Sequence, residues 1–382
     1  MPKDLSHLSD NEIETLIQRY YAGESITKLL TEYHLSVRST TLYKLFPPEV
    51  CKEEICEYCN EYLVRERLSK TASAWRHDKS DMYCPICSHQ PYARSCKCDN
   101  CIEKERIIAE QKRQQIKDEY SLKRTPVDFS TLSFEQKVFS GALCRALCEE
   151  NLYEIKAYIG SNTILAPTDD LCSQMYKTLA NNGIIAVSPT SPLEAFVVDK
   201  DFPNKYYIYK VAYYLNLVFP PNKQILFDEI LNPTYYSSEH ENEALRLWIQ
   251  IAVGECLEYL DYQLQKVGFE FNPGEKTYKT FGILLNDFSV SQIYGIIWRA
   301  VADASKFYLE GNISKKHAAN SVIGACERYA ERAKMNGWRL SEYNRIKELP
   351  QSELSAFFFN RVLRIGDIGF KTPPSQERLQ KE

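Results

Sequence analysis

Apolar positions in the first fifty residues recur at helical spacing, and punctuation residues divide them into three short segments. Ser9, with Glu12 three residues on, forms a capping box, and Gly23 supplies a stop. A second helix is expected from Glu24 or Ser25, turning Ile26, Leu29 and Leu30 inward and ending near His34. A third begins around Ser39 and is halted by Pro47 and Pro48, with Leu35 placed to fill the angle between the two. From 102 to 125 the pattern changes, because IEKERIIAEQKRQQIKDEYSLKR has no Gly or Pro and few apolar anchors, Ile107, Ile108 and Ile116 among them. It predicts a solvent-exposed connecting helix that ends before Thr125-Pro126.

Ser133 with Gln136 opens the next helix, SFEQKVFSGALCRALCEEN. LYEIKAYIG is expected to be a second, and the start signal PTDD leads into a third, LCSQMYKTLANN, stopped by Gly183. An apolar run IIAV, a turn SPTSP and a strand-like AFVVD follow. From residue 204 helices dominate, in NKYYIYKVAYYLNLVF, ENEALRLWIQIAVGECLEYLDYQLQKVG and SVSQIYGIIWRAVADASKFYLEG, where Ile293, Ile296, Ile297, Ala300 and Val301 mark a core stripe. The following helix starts with Lys315, Lys316 and His317, where its dipole disfavours cations, and carries Arg328, Arg332 and Lys334 toward its end. The expected class is mainly α and multidomain: a helix-turn-helix at 1–50, a zinc ribbon at 51–101, a connecting helix at 102–125, a winged-helix-like segment at 126–203, a helical C-terminal domain at 204–372 and a polar tail at 373–382.

Two of these labels rest on resemblance. GESITKLLTEYHL followed by STTLYKLFP resembles the helix-turn-helix of the resolvase and invertase recombinases and of many bacterial regulators. The resemblance implies that the second helix of the motif enters the major groove of double-stranded DNA, with Arg38, Ser39, Thr40, Tyr43 and Lys44 facing it. The turn is longer than the family's, and His34 stands where Gly is common. Nothing of the recombinase catalytic domain is recognisable, so the resemblance is to a module. Further on, the order helix, helix, helix, strand, turn, strand and the passage LANNGIIAVSP resemble a winged helix, which implies an exposed face with Ser173, Gln174 and Lys177. Residues 126–200 hold 5 basic against 9 acidic side chains, which argues against strong phosphate contact there.

Cysteine spacing adds chemistry to this picture. Eight of thirteen cysteines fall between Cys51 and Cys101. Cys56-x2-Cys59 and Cys84-x2-Cys87 can each present two thiolates from one tight turn, and together they complete a zinc tetrahedron. Cys96, Cys98 and Cys101 offer three more thiolates and want a fourth ligand; His89 is the nearest candidate, Cys51 the alternative, and a thiolate shared between two metals a third arrangement. Two structural zinc ions are expected, since thiolates are plentiful and no carboxylate is placed as a general base. Cys144, Cys148, Cys172, Cys256 and Cys326 lie among apolar residues and read as small core side chains. Arg65, Arg67, Lys70, Trp75, Arg76 and His77 interleave basic and aromatic residues between the knuckles, a pattern that can follow phosphates or stack on a base, although six acidic residues are mixed in nearby.

The net charge of −4 is unevenly spread: basic against acidic residues number 20 to 20 over 1–125, 14 to 23 over 126–314 and 11 to 6 over 315–371. A polyanionic partner is expected at the first or last of these. No apolar run is long enough to span a bilayer and no secretory signal opens the chain, so a cytoplasmic location with reduced thiols is expected. No catalytic residues emerge: there is no phosphate-binding glycine loop, nucleophile elbow or metalloprotease helix. The expected function is a non-catalytic, zinc-containing DNA-binding protein of bacterial type, a regulator or accessory factor of a mobile-element or defence locus. A protein-interaction scaffold or sensor subunit, docking other proteins through its C-terminal helices, is the alternative; single-strand or RNA binding is the third.

Overall fold

Helices of 21 to 26 residues at four places and shorter capped ones between them make up about half of the chain, which is mainly helical. The computed structural model describes residues 4–73, 79–121, 124–311 and 313–379. Trp75, Arg76 and His77 lie outside them. The chain divides into two compact units, Met1–Arg113 and Gln114–Glu382.

The first unit opens with α1 (Asp10–Tyr21), whose start is tied by Ser9, its N–H and hydroxyl both donating to Glu12 Oε2 at 2.8 and 2.7 Å. Gly23 ends the helix at φ +91°, with the Glu24 N–H returning to Arg19 O. Helix α2 (Ile26–Glu32) ends in the same way, but the left-handed position is taken by His34 at φ +52°. Leu35 then donates its N–H to Leu30 O at 2.8 Å and buries its side chain beside Leu16, Leu29 and Leu42. Arg19 fastens α1 to α2 by pairing with Glu24 and Glu32, both at 2.7 Å. The third segment differs from expectation: Ser39–Leu45 forms a 3-10 helix rather than an α-helix. Three consecutive Ser/Thr side chains compete for backbone partners, as Thr41 Oγ1 does with Arg38 O, and Pro47 leaves no room to lengthen the turn.

Strands β1 (Glu49–Ile55) and β2 (Tyr62–Arg65) follow as an antiparallel pair, with an irregularity between Cys51 and Ile55. Tyr83 joins β2 through a reciprocal pair of bonds with Val64. Helix α3 (Lys70–Ser73) comes next, and α4 (Asp99–Tyr120) runs on from the last cysteines. Ile116 and Tyr120 near the end of α4 are buried, whereas Ile102, Ile107 and Ile108 remain exposed.

The second unit starts with α5 (Phe134–Leu147), capped by Ser133 and Gln136 as expected. The stretch read as a second helix is instead β3 (Glu154–Ile155), entered through Leu152 at φ +59°, with Asn151 Oδ1 accepting from the Tyr153 and Glu154 N–H groups. Helix α6 (Asp169–Asn181) is followed by Gly183 at φ +69° and by β4 (Ile185–Val187). AFVVD is not a strand; a 3-10 turn at Leu193–Ala195 precedes a single bridge between Phe196 and Tyr206. The third strand, β5 (Tyr213–Leu215), lies inside the tyrosine-rich stretch read as helical. All three of its residues are buried, so its pattern is continuous and matches neither period. The sheet is antiparallel in the order β3–β5–β4.

Helices α7 (Lys223–Leu231), α8 (Glu241–Lys266), α9 (Glu275–Leu284), α10 (Val290–Glu310) and α11 (Lys315–Met335) complete the bulk of this unit. Helix α8 is central: Trp248, Ile251 and Cys256 have no exposed surface, and Trp248 Nε1–H donates to Gly369 O at 3.0 Å. Glu255 is buried on α8 and accepts from Arg345 at 2.8 Å and from Ser355 at 2.7 Å. Helix α12 (Glu353–Phe357) packs on α5 and passes into a π-turn at Phe358–Val362. Helices α13 (Ile368–Lys371) and α14 (Gln376–Leu379) end the described chain. The segment read as a polar tail is therefore partly docked, with Tyr236 donating to Leu379 O and Gln376 to Asn242. Among the described residues no helix is long and apolar enough to cross a membrane.

Two expectations follow for stability. An added Cβ at Gly141 would lie 2.1 Å from Phe357 Cζ, whereas at Gly282 it would meet nothing within 4 Å. Thermal or urea denaturation should show Gly141→Ala losing about 1–3 kcal/mol and Gly282→Ala gaining up to about 1 kcal/mol. Burial, and then the neighbouring Glu255, push the Glu258 carboxyl up to about 7, with Arg345 opposing. Between the ordinary carboxyl range and pH 7 the folded chain thus holds a proton that the unfolded chain has released, and this group's effect lowers stability as pH rises. Glu258→Gln should raise the melting temperature relative to the parent at pH 8 and leave it unchanged at pH 4.5.

Candidate metal centre

Each of the two CxxC turns is folded by the same pair of backbone bonds. In the first, the Asn60 N–H donates to Cys56 O at 3.0 Å and the Cys56 N–H to Glu61 O at 2.8 Å. In the second, Ser88 donates to Cys84 O at 2.9 Å and Cys84 to His89 O at 2.8 Å. Asn60 and Ser88, each directly after the second cysteine, take left-handed φ values of +54° and +58°. Neither is Gly, although Asn tolerates this region better than Ser. The sequence reading did not single out these two residues; their shared position after each CxxC was the available signal.

The turns converge so that the sulfurs of Cys56, Cys59, Cys84 and Cys87 all lie within 4.8 Å of one another. The Cys56 and Cys87 sulfurs are 3.7 Å apart. Sulfurs about 2.3 Å from a tetrahedral ion stand about 3.8 Å from one another, so the spacing fits a metal. A second set brings together His89, Cys96, Cys98 and Cys101 within the same limit. His89 Nδ1 is 3.3 Å from Cys101 Sγ and 3.7 Å from Cys98 Sγ. Cys51 belongs to neither set; it sits on β1 with its sulfur directed to Glu49 O. His89 therefore completes the second set, and no thiolate is common to both.

Local packing holds these donors in place. His89 is buried and meets the Tyr58 ring edge to face at 4.8 Å, while its Nε2 lies 3.7 Å from Glu57 Oε1. A carboxylate on the far nitrogen favours the tautomer that leaves Nδ1 free to ligate. The Gln90 N–H donates to Cys96 Sγ at 3.2 Å, and such a bond stabilises a thiolate. Cys101 enters from the first turn of α4, where the backbone amides favour negative charge. Each set offers four protein donors, the full complement of a closed tetrahedral site, and leaves no position for a reacting water. The two sets could hold two metal ions.

The other sequence-derived positions are less convergent. Arg38, Ser39, Thr40 and Lys44 are exposed on and beside the 3-10 helix, and Tyr43 is half-buried against the three-helix core. Arg38 and Lys44 have no ion-pair partner among the described residues. Basic residues between the knuckles are largely engaged: Arg65 with Glu49 at 2.8 Å, Arg67 with Pro47 O at 2.9 Å, and Lys70 over the Tyr20 ring. Compared with protein-family models, curated proteins and solved structures, the chain matches none.

Metal analysis of the purified protein should give two ions per chain. Cys56→Ser and Cys98→Ser should each lose one ion while retaining the other, and Cys51→Ser should retain both. A Cys51→Ser protein with one ion would contradict the assignment of the second set.

Proposed function

We propose that the chain is a zinc-containing, sequence-preferring DNA-binding protein, a non-catalytic regulator or accessory factor of a mobile-element or defence locus in a bacterial cell. The observation that carries this reading is the row Arg38, Ser39, Thr40 and Lys44. It lies exposed, its cations unpaired among the described residues, directly after a helix whose end is locked by a left-handed His34 and a buried Leu35. Cationic and hydroxyl side chains grouped on one short element suit both phosphate oxygens and base edges. A four-thiolate set and a three-thiolate, one-imidazole set are the donor chemistries that zinc takes in structural sites. In this reading the ions hold the cysteine-rich segment as a rigid support, and Tyr43 orients the row by packing inward.

The second unit and helix α4 bear on the rival reading. We read helix α5, strand β3, helix α6 and strands β4 and β5, in the sheet order β3–β5–β4, as a winged-helix-like segment that extends to Leu215 and has irregular backbone where the middle helix was expected. The acidity of residues 126–200 makes protein docking the more natural use of that segment. A scaffold reading has its own observation, the exposed Ile102, Ile107 and Ile108 on α4, which suit an apolar partner.

Duplex binding separates these readings. Fluorescence anisotropy on a pool of random duplexes should show affinity that falls steeply between low and moderate salt. In Arg38→Ala/Lys44→Ala the affinity should drop about ten-fold and the salt slope by about 2, as expected for two lost phosphate contacts, with metal content unchanged. Unaltered binding by the double variant, or no binding by the parent, would exclude the proposal.

A further inference from the structure

Helices α10 and α11 pack along their lengths and leave a groove of about 390 Å³ on their outer side. Phe307 and Asp303 line it from α10, and Arg328, Tyr329 and Arg332 from α11. The Arg299 guanidinium lies 5.2 Å from the centre of the Tyr329 ring, and Trp338 stands 5.8 Å from the same ring. Phe307, on α10, and Trp338, just after α11, are 46% and 47% exposed, an unusual amount of aromatic surface for one helical hairpin to leave in water.

The charge here runs against the rest of the chain. Residues 299–339 carry 8 Lys and Arg against 4 Asp and Glu, in a protein of net charge −4. Of the four acids, Glu310 pairs with Lys306 on its own helix at 3.9 Å, and Glu327 is turned away toward α9, where it accepts from Thr280 at 2.7 Å and pairs with Lys276 at 3.4 Å. Glu331 lies one helical turn beyond it, on the same side. Asp303 is the carboxylate left in the groove, facing Arg328 and Arg332 on α11 and Arg299 on its own helix. Those three arginines have no ion-pair partner among the described residues. Arg328 and Arg332 are one helical turn apart, about 6 Å along the axis, so both can reach one extended chain of negative groups.

We propose that the α10–α11 groove binds single-stranded nucleic acid, with arginines on the phosphates, Phe307 as a stacking surface in the groove and Trp338 as a second one just beyond the end of α11. An acidic peptide would satisfy the arginines but leave the aromatic faces uncovered. A duplex offers phosphates but hides its base faces within the stack, so it too would leave the aromatics exposed. An unpaired strand presents both chemistries together. The groove shares no residue with the Arg38–Lys44 row, and the two proposals stand or fall independently.

The test uses the full-length, metal-loaded chain and labelled 16-nucleotide oligothymidylate and oligouridylate, read by anisotropy and by quenching of tryptophan fluorescence. Both strands should bind, with affinity falling as salt rises. Arg328→Ala/Arg332→Ala should weaken binding about ten-fold and reduce the salt slope by about 1.4, the share of two phosphates on a single strand. Phe307→Ala should weaken it at least about five-fold at constant salt slope, which a purely ionic site would not show. Arg38→Ala/Lys44→Ala should bind the oligonucleotides as the parent does. All the substituted side chains are at the surface, and an unchanged melting temperature confirms intact folding. Preference for one of the two strands would identify DNA or RNA as the natural source. The proposal is overturned if neither strand binds, if the groove variants bind like the parent, or if polyglutamate of equal length binds as tightly and is lost with the same variants.

Discussion

Four-fold convergence of donor atoms is the constraint on which the cysteine-rich segment of the first unit depends. Around its cysteines, the buried set consists of Cys56, Leu63, Met82 and Cys84, so half of that small core is made of donor residues. With Val64, three buried apolar side chains cannot offset the conformational entropy of ordering some fifty residues, which costs on the order of 1–2 kcal/mol each for the backbone alone. Segments of this kind are held by metal binding, because the free energy of ligation is available only in the folded arrangement. The geometry is consistent with that role: both turns repeat one bond pattern, and both accept a non-Gly residue in the left-handed region to make it.

The second unit is built on the opposite principle. Its core is large and continuous, running from Ile116 on α4 to Phe370 on α13. Helix α8 passes through the middle and has little amphipathic character, since neighbours surround it on most sides. Within that apolar surround the Glu255–Arg345 pair is costly to bury; the Ser355 hydroxyl on Oε1 and the Arg345 guanidinium stacked 4.2 Å over Phe370 offset part of that cost, and Glu255 Oε2 has no hydrogen-bond partner among the described residues. Together these contacts fix the irregular segment 341–351 against the helices. The same unit leaves the α10–α11 hairpin with exposed aromatic and cationic side chains, an arrangement that packing alone does not require.

Where sequence and structure part company, the cause is local ambiguity settled by pairing partners. LYEIKAYIG and VAYYL contain apolar residues at spacings that suit a helix or a strand, and each became a strand because the other was there to pair with it. AFVVD looks like a strand by propensity, but a 3-10 turn at Leu193–Ala195 and a lone bridge at Phe196 take its place. The last residues read as polar because they are, yet Leu379 and Gln376 find partners on Tyr236 and Asn242 more than a hundred residues away.

What the sequence determined by itself was everything that acts over a few residues. Capping boxes at Ser9 and Ser133, stops at Gly23 and Gly183, the break before Pro47 and the two-residue spacing of the cysteine pairs each depend on atoms within one turn of backbone. The tertiary structure decided what depends on meeting at a distance. It chose His89 over Cys51 as the fourth donor, because the turn that holds Cys84 also carries the imidazole inward while β1 turns the Cys51 sulfur to a backbone oxygen. It also placed Arg299 of one helix over Tyr329 of the next, a contact that no one-dimensional spacing encodes. Local chemistry is written in neighbours along the chain, and function-bearing geometry comes from neighbours that only folding supplies.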